Sequence, residues 1–548
     1  MLLSLLIILV IILVIYGYSA LLKFFFNYTK HVYEIDFVYG IIFLLFISII
    51  LNYFFPIKYF TIPIIVIGMG FFLFFYIKKI IKINLIKLIL IAGFFIFISY
   101  GNELVYDSRL YHLQTIKYIV KNKIIFGLAN LEPRLGMNSS WHSILSLFNL
   151  KVKDQNPIYL VNIILFTFLL NQTFKKEIGK KKLSFIFISL SLIFILAYSY
   201  FHPYKNGTIL NIIGSPEVDT AAMIFFIFSI YQYLIFLENR NYENYYLVLI
   251  FCFLTITTKI SYIAIFFVPL LVLFTNKKIK FEFTNRINLF LFFSLILWSL
   301  RTFILSGCFF FPIKQSCING LWSLGKINVE NYKNIISSFN RDTPDKLKWN
   351  NFNFTLESYD WFYPWLKFYF LKTELLYVSF LLLILSILYI LIDKFKNFLR
   401  NKKFNINKEL LLLFIINLFS IFIWLNAPEI RLGYGFIICI TTFTLSIIFY
   451  NLKIEQNLIN FLKPTIIIFI IAIIISNNTN INSIDRAPFS RDFIYNNFKI
   501  IYKINSYNVY KPDDGLFCNY FEDFCSYQSF KVYINKKFNY YYIENNWS

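Results

Sequence analysis

The sequence predicts an all-α integral membrane bundle, and three observations carry that prediction. Hydrophobic residues fill 58% of the 548 positions and charged residues only 15%, against roughly a quarter charged in a soluble domain. The apolar residues gather into runs near the ~20-residue length that crosses a bilayer core. The lysines gather between those runs, at 78–87, 175–182, 277–286 and 393–408, the asymmetry that marks the cytoplasmic side of a membrane protein. The same asymmetry accounts for the net charge of +23. It argues against nucleic acid as a partner, because the cations sit in short loops between apolar spans, where the positive-inside pattern accounts for them.

Residues 2–22 form the first apolar run. No signal-peptidase-like site follows it, so it reads as a retained helix. Further runs fall near 37–55, 61–77, 85–100, 157–173, 183–201, 218–237, 244–258, 260–275, 287–304, 372–392, 410–425, 433–450 and 464–476, about fourteen spans in all. Placing the Lys-rich loops in the cytoplasm puts both termini outside, together with 101–156, 202–217, 305–371, 426–432 and 477–548. Three units follow: three helices within 1–84, a membrane core at 85–476 with long external loops 101–156 and 305–371, and an extracytoplasmic domain at 477–548. This last segment is polar and rich in Tyr and Asn, and its alternating stretches predict a small α+β fold.

In the first long loop, Leu110, Leu113, Ile116 and Val120 recur at helical spacing after Asp107. A second short helix is expected to begin near Asn138 and run through Trp141, Ile144 and Phe148. Such amphipathic helices are expected to lie along the membrane interface, apolar side down.

The stretch Asn102–His142 holds most of the candidate chemistry: Glu103, Asp107, Arg109, His112, Arg134 and His142. Asp107 has two readings, a helix N-cap or a carboxylate that accepts a proton or helps bind a divalent cation, magnesium or manganese. The segment GSPEVDTAAM at 214–223 supplies a second acid, Asp219. There Ser215 reads as an N-cap, Pro216 as the first helical residue, and the acids as first-turn partners of the helix dipole. Lys259, Arg301 and Arg431 lie at span ends near the outer face. They either snorkel or pair with acids, Glu429 being the near partner for Arg431, or they clamp a phosphate. Tyr111 and Trp141 can stack on sugar rings or anchor the interface. Cys252 and Cys439 lie inside apolar runs, whereas Cys308 with Cys317 and Cys518 with Cys525 form close pairs in external loops, where disulfides are expected.

The segments YDSRLYHLQTIKYI, GLANLEPRLGMNSSW, SPEVD, TKIS, RTFILSGCFFFP, APEIRLGYG and GLFCNYFEDFC resemble an uncharacterised family of bacterial membrane proteins like the GT-C class of glycosyltransferases. The resemblance runs from about 85 to 530. It implies a GT-C-like fold in the bacterial cytoplasmic membrane, with its active site facing outside. It also implies transfer of a sugar from a polyprenyl-phosphate carrier to a glycan, lipid or protein acceptor. By this resemblance Asp107 matches the catalytic acid of the first external loop, and Asp219 a later acidic site. Arg301, Arg431 or Lys259 would hold the leaving phosphate, with Glu103, Arg109, His112 and Arg134 close to the substrate. Two departures stand out: three extra spans precede the helix leading to Asp107, and Ser108 follows Asp107 where the class more often has a second acid. The competing expectation is a flippase or polymerase of lipid-linked glycans. Transporters commonly carry internal repeats, and none is evident here.

Overall fold

The computed structural model describes residues 1–26, 31–99, 105–150, 152, 156–174, 183–201, 209, 212–275, 282, 284–342, 351–370, 377–385, 388, 408–451, 455–478, 498–504, 507–512, 518, 524–526, 532–537 and 540–545. Every apolar run within those residues is helical, as a chain needs when lipid cannot satisfy its backbone. The helices are α1 Leu2–Phe25, α2 Phe37–Phe54, α3 Thr61–Ile77, α4 Leu85–Ser99, α5 Leu113–Lys121, α6 Ser140–Ser146, α7 Val161–Thr173, α8 Leu183–Phe201, α9 Val218–Asn239, α10 Tyr242–Thr258, α11 Phe267–Thr275, α12 Arg286–Ser306 and α13 Lys326–Arg341. They are followed by Lys408–Trp424, Ile430–Asn451 and Glu455–Asn478.

Among the described residues, six helices are long and apolar enough to cross a membrane by themselves: Leu2–Phe25, Glu34–Phe54, Leu183–Phe201, Val218–Asn239, Arg286–Ser306 and Ile430–Asn451. The protein is therefore an integral membrane protein. Shorter apolar helices, such as Thr61–Ile77 and Leu85–Ser99, accompany them. Of the expected span at 372–392, only 377–385 and 388 fall within the described residues.

α9 is the centre of the bundle, buried without interruption from Val218 to Leu234 and packed against α7, α8, α10 and Ile430–Asn451. α1 runs against α2 and α3 at close range. A Cβ on Gly17 would lie 2.0 Å from the backbone oxygen of Gly68, so the approach needs a residue without one, as small residues permit in membrane bundles. α9 carries Asp219 in its first turn and is followed by Arg240. At ~1.5 Å per residue its two charged ends are about 33 Å apart. At the Arg240 end, Arg240 pairs with Glu409, and the buried Lys23 pairs with Asp36 at 2.8 Å and Glu243 at 3.1 Å.

The carboxyl-terminal strands are β1 Phe498–Ile504, β2 Tyr507–Pro512, β3 Phe524–Cys525, β4 Val532–Lys537 and β5 Tyr540–Asn545. β1 and β2 are antiparallel, β3 is parallel to β2, and β4–β5 form a separate hairpin. They dock on the segment 105–150 that follows α4. The Phe126 amide donates to the Tyr541 carbonyl at 2.9 Å, and the Ile543 amide to the Phe126 carbonyl at 2.8 Å. Tyr118, Ile124, Leu128 and Leu135 share a core with Val509, Phe524, Ile534 and Ile543.

This docking changes the expected place of the loop helices. α5 is buried from Leu113 to Val120, its polar side included. The Gln114 amide donates to the Cys518 carbonyl at 2.9 Å, and the Lys117 ammonium lies 4.2 Å from the Tyr118 ring centre. α6 is buried throughout. Neither helix lies open on a bilayer surface: carboxyl-terminal residues cover α5, and α2, α5, α9 and α10 enclose α6.

Candidate functional site

Tyr106 and Asp107 are helical, and Ser108–His112 forms a single π-type turn that continues into α5. Such turns recur at functional sites, and this one sends neighbouring side chains to different partners. Asp107 has helical backbone angles and makes no capping hydrogen bond, whereas an N-cap has extended angles. The capping reading of Asp107 therefore fails. Its carboxylate pairs instead with the guanidinium of Arg431.

Arg431 is the hub. One of its terminal nitrogens meets Asp107 and also Glu429 at 3.2 Å, and its Nε stands 3.5 Å from Asp219. Asp219 in turn pairs with Lys259, which sits where α10 ends and its backbone turns extended. Asp107, Arg431, Asp219 and Lys259 thus alternate in sign around one point, brought from four segments of chain. Their side chains retain between 6% and 19% exposure, while that of Glu429 retains 41%. The cluster is largely desolvated and opens toward Glu429.

Behind it lies a buried second layer. The Ser108 hydroxyl donates to Glu217 Oε1 at 2.6 Å and lies 2.5 Å from the Ser215 hydroxyl. Glu217 Oε2 is 3.2 Å from His112 Nε2, and His112 Nδ1 is 2.7 Å from His142 Nε2. The Asn162 amide donates to the backbone oxygens of Ser215 at 2.7 Å and Glu217 at 3.0 Å, and is itself oriented by Trp141 Nε1 at 2.7 Å. Burial would raise the Glu217 carboxyl, but the His112 charge and hydrogen bond, with Arg431 and Ser108 behind them, hold it down at about 2. Burial, reinforced by His112 and Arg301, keeps His142 well below the usual imidazole range and so neutral. Burial and the nearby Asp107 hold the Tyr111 phenol well above its ordinary range, so it stays protonated.

The arrangement revises the local reading of 214–223. α9 begins at Val218 with Glu217 at its N-cap position, making no side-chain cap. Ser215 is not the cap and Pro216 is not the first helical residue. Glu217 faces His112 and Ser108 instead, an interaction that short-range sequence patterns do not encode. Trp141 is fully buried against Phe225, and so is closed to a sugar ring.

Of the remaining candidates, Arg301 is buried and held by Asn138 Oδ1, with Asn52 Oδ1 at 3.5 Å, rather than by either acid of the cluster. Arg134 pairs with Glu132 at 3.1 Å. Arg109 is half-buried on the π turn. Glu103 lies outside the described residues. Cys308 is bonded to Cys317 and Cys518 to Cys525, while Cys252 and Cys439 are buried free thiols.

Among the described residues no three His, Cys, Asp or Glu side chains gather as a metal-ligating set. Asp107 and Asp219 are each committed to a cationic side chain, so this donor set does not fit magnesium or manganese.

No curated protein and no solved structure matches the chain. A family model does match, over residues 1–438, which takes in the whole cluster from Asp107 to Arg431. The chain belongs to that family, described as Domain of unknown function (DUF8201).

Proposed function

We propose that the chain is a GT-C-like membrane glycosyltransferase. It would move a sugar from a polyprenyl-phosphate donor to a glycan, lipid or protein acceptor at the extracytoplasmic face of the bacterial cytoplasmic membrane. The observation that carries this reading is the ion pair between Asp107 and Arg431 beside Asp219 and Lys259. A mobile anion can exchange into such an alternating set.

A donor phosphate would compete with the acids for the Arg431 fork and the Lys259 ammonium, both good phosphate partners. As it binds, Asp107 is released from its cation and becomes a better proton acceptor. The acceptor hydroxyl oxygen then bonds to the anomeric carbon. The bond from that carbon to the phosphate oxygen breaks with its electron pair on the phosphate, and the hydroxyl proton passes to Asp107. Arg431 and Lys259 stabilise the charge that grows on the leaving phosphate. Asp219 holds Lys259 in place before and after the transfer. Glu217, Ser108 and His112 act through position, holding the two acid-bearing segments together.

The test is release of polyprenyl phosphate from lipid-linked sugars by purified protein, wild type against Asp107→Asn. Loss of release with donor binding retained supports transfer with Asp107 as base. Equal release removes Asp107 from the chemistry. Movement of donor between leaflets by the wild type, without release, replaces the reading with a flippase.

A further inference from the structure

The segment after α12 exposes an apolar surface that an aqueous loop does not explain. α12 itself is lipid-facing on one side, with Phe293, Leu295, Ile296 and Leu300 exposed. From Gly307 the chain turns into a hairpin closed by the Cys308–Cys317 bond, on which Ile318 is 54% exposed, and then reaches Leu321 at 74%. α13 follows. Its inner face packs Val329 and Tyr332 onto Cys308, Phe311, Cys317 and Leu324. Its outer face carries Ile327, Ile335 and Phe339, all exposed, Ile327 at 75%. With Asn331 between them these positions repeat every fourth residue, a single stripe along the helix. Lys326 and Lys333 stand exposed on the same helix.

An exposed apolar stripe on a helix whose other apolar face is already packed, directly after a span-length helix, fits a helix lying in a membrane surface. The bilayer is the occupant this placement favours. The stripe follows, through a covalently closed hairpin, a helix long and apolar enough to cross the membrane. We propose that α13 and the Cys308–Cys317 hairpin rest in the headgroup layer of the membrane crossed by α12, so that residues 307–341 are a monotopic element and not a free extracellular loop. This does not depend on the transfer reaction.

The experiment places an environment-sensitive maleimide dye on Ile327→Cys or Ile335→Cys in the full chain, with Lys536→Cys on β4 as the exposed reference. The native thiols are disulfide-bonded or buried, so the introduced cysteine takes the label. The protein is reconstituted in phosphatidylcholine–phosphatidylglycerol vesicles with and without lipids spin-labelled near the headgroup. The expected result is lipid quenching on α13 about twofold or more above that at 536, with iodide in the aqueous phase quenching in the reverse order. Iodide quenching at 327 and 335 equal to that at 536 overturns the proposal. Protection from both quenchers also overturns it, because another copy of the chain or another protein would then cover the stripe.

Discussion

Ser108 donates its hydroxyl to the Glu217 carboxylate at 2.6 Å across 109 residues of sequence. Asp107 lies immediately before the donor and Asp219 two residues beyond the acceptor. This bond therefore ties together the two chain segments that present the acids to Arg431.

Replacing Asp107 by Asn should leave the protein folded and lower polyprenyl phosphate release by about 10²–10⁴-fold, the range of a lost general base. Donor binding, read by direct titration of labelled lipid, should hold or improve. Asn no longer competes with phosphate for Arg431.

Arg431 faces three carboxylates in a largely desolvated site. Arg431→Gln strands them, and removing one partner of a buried pair costs about 3–5 kcal/mol, less here because the site opens on one side. Combining it with Asp107→Asn should restore part of the loss, a coupling of about 1–3 kcal/mol for groups in contact. Unfolding in detergent, for the two single variants and the double, checks this. Additive losses would mean that the ion pair is not energetically real.

The pH dependence of stability follows from two depressed groups. His142 is held below its unfolded value of about 6.5 by burial first and then by its charged neighbours. The unfolded chain therefore binds the extra proton first, and stability falls as pH drops below that value. Glu217, unfolded near 4.3 and about 2 when folded, contributes stability that is intact above pH ~4.3 and lost as pH falls toward 2. Tm should be flat from pH 8 to 7, decline below about 6.5 and steepen below about 4.3. His142→Asn should flatten the upper limb alone, and Glu217→Gln the lower.

Gly127 has φ +69°, and a Cβ there would lie 2.3 Å from the Ile543 carbonyl and 2.6 Å from that of Trp322. Gly127→Ala should release the β4–β5 hairpin from the segment between α5 and α6, at a cost of at least 1–2 kcal/mol, roughly that of a strained left-handed residue before the clash is counted. Limited proteolysis should cut 498–545 several-fold faster in the variant, while the bundle survives. Unchanged cleavage would mean that the hairpin is held elsewhere.

Much of the scaffold was legible in the sequence. Helices form wherever an apolar run falls among the described residues, because a segment in lipid must satisfy its own backbone and only composition over some twenty residues is needed to say so. The short helix near Asn138 was legible from its spacing, and Ser139 caps it at 3.3 Å to the Trp141 amide. Lys259 and Arg431 were legible as exceptions, charges at the ends of spans where charges are costly.

What the sequence determined by itself was the kind of protein, an integral membrane bundle, and which side chains are too costly to be incidental. The tertiary structure decided their company. Asp107 and Arg431 stand 324 residues apart, and no local period encodes which cation meets which acid. Arg301 resembles Arg431 in sequence context, yet it is held by two amide oxygens. Glu217 reads as a first-turn acid until His112 and Ser108 are seen to meet it. The face of α5 that periodicity assigns to water is met by a segment some four hundred residues later, as the contact of Gln114 with Cys518 shows. A hydrophobic pattern records how often a face must avoid water, whereas a buried charge is tolerable only beside a partner, and which partner arrives depends on how the whole bundle packs.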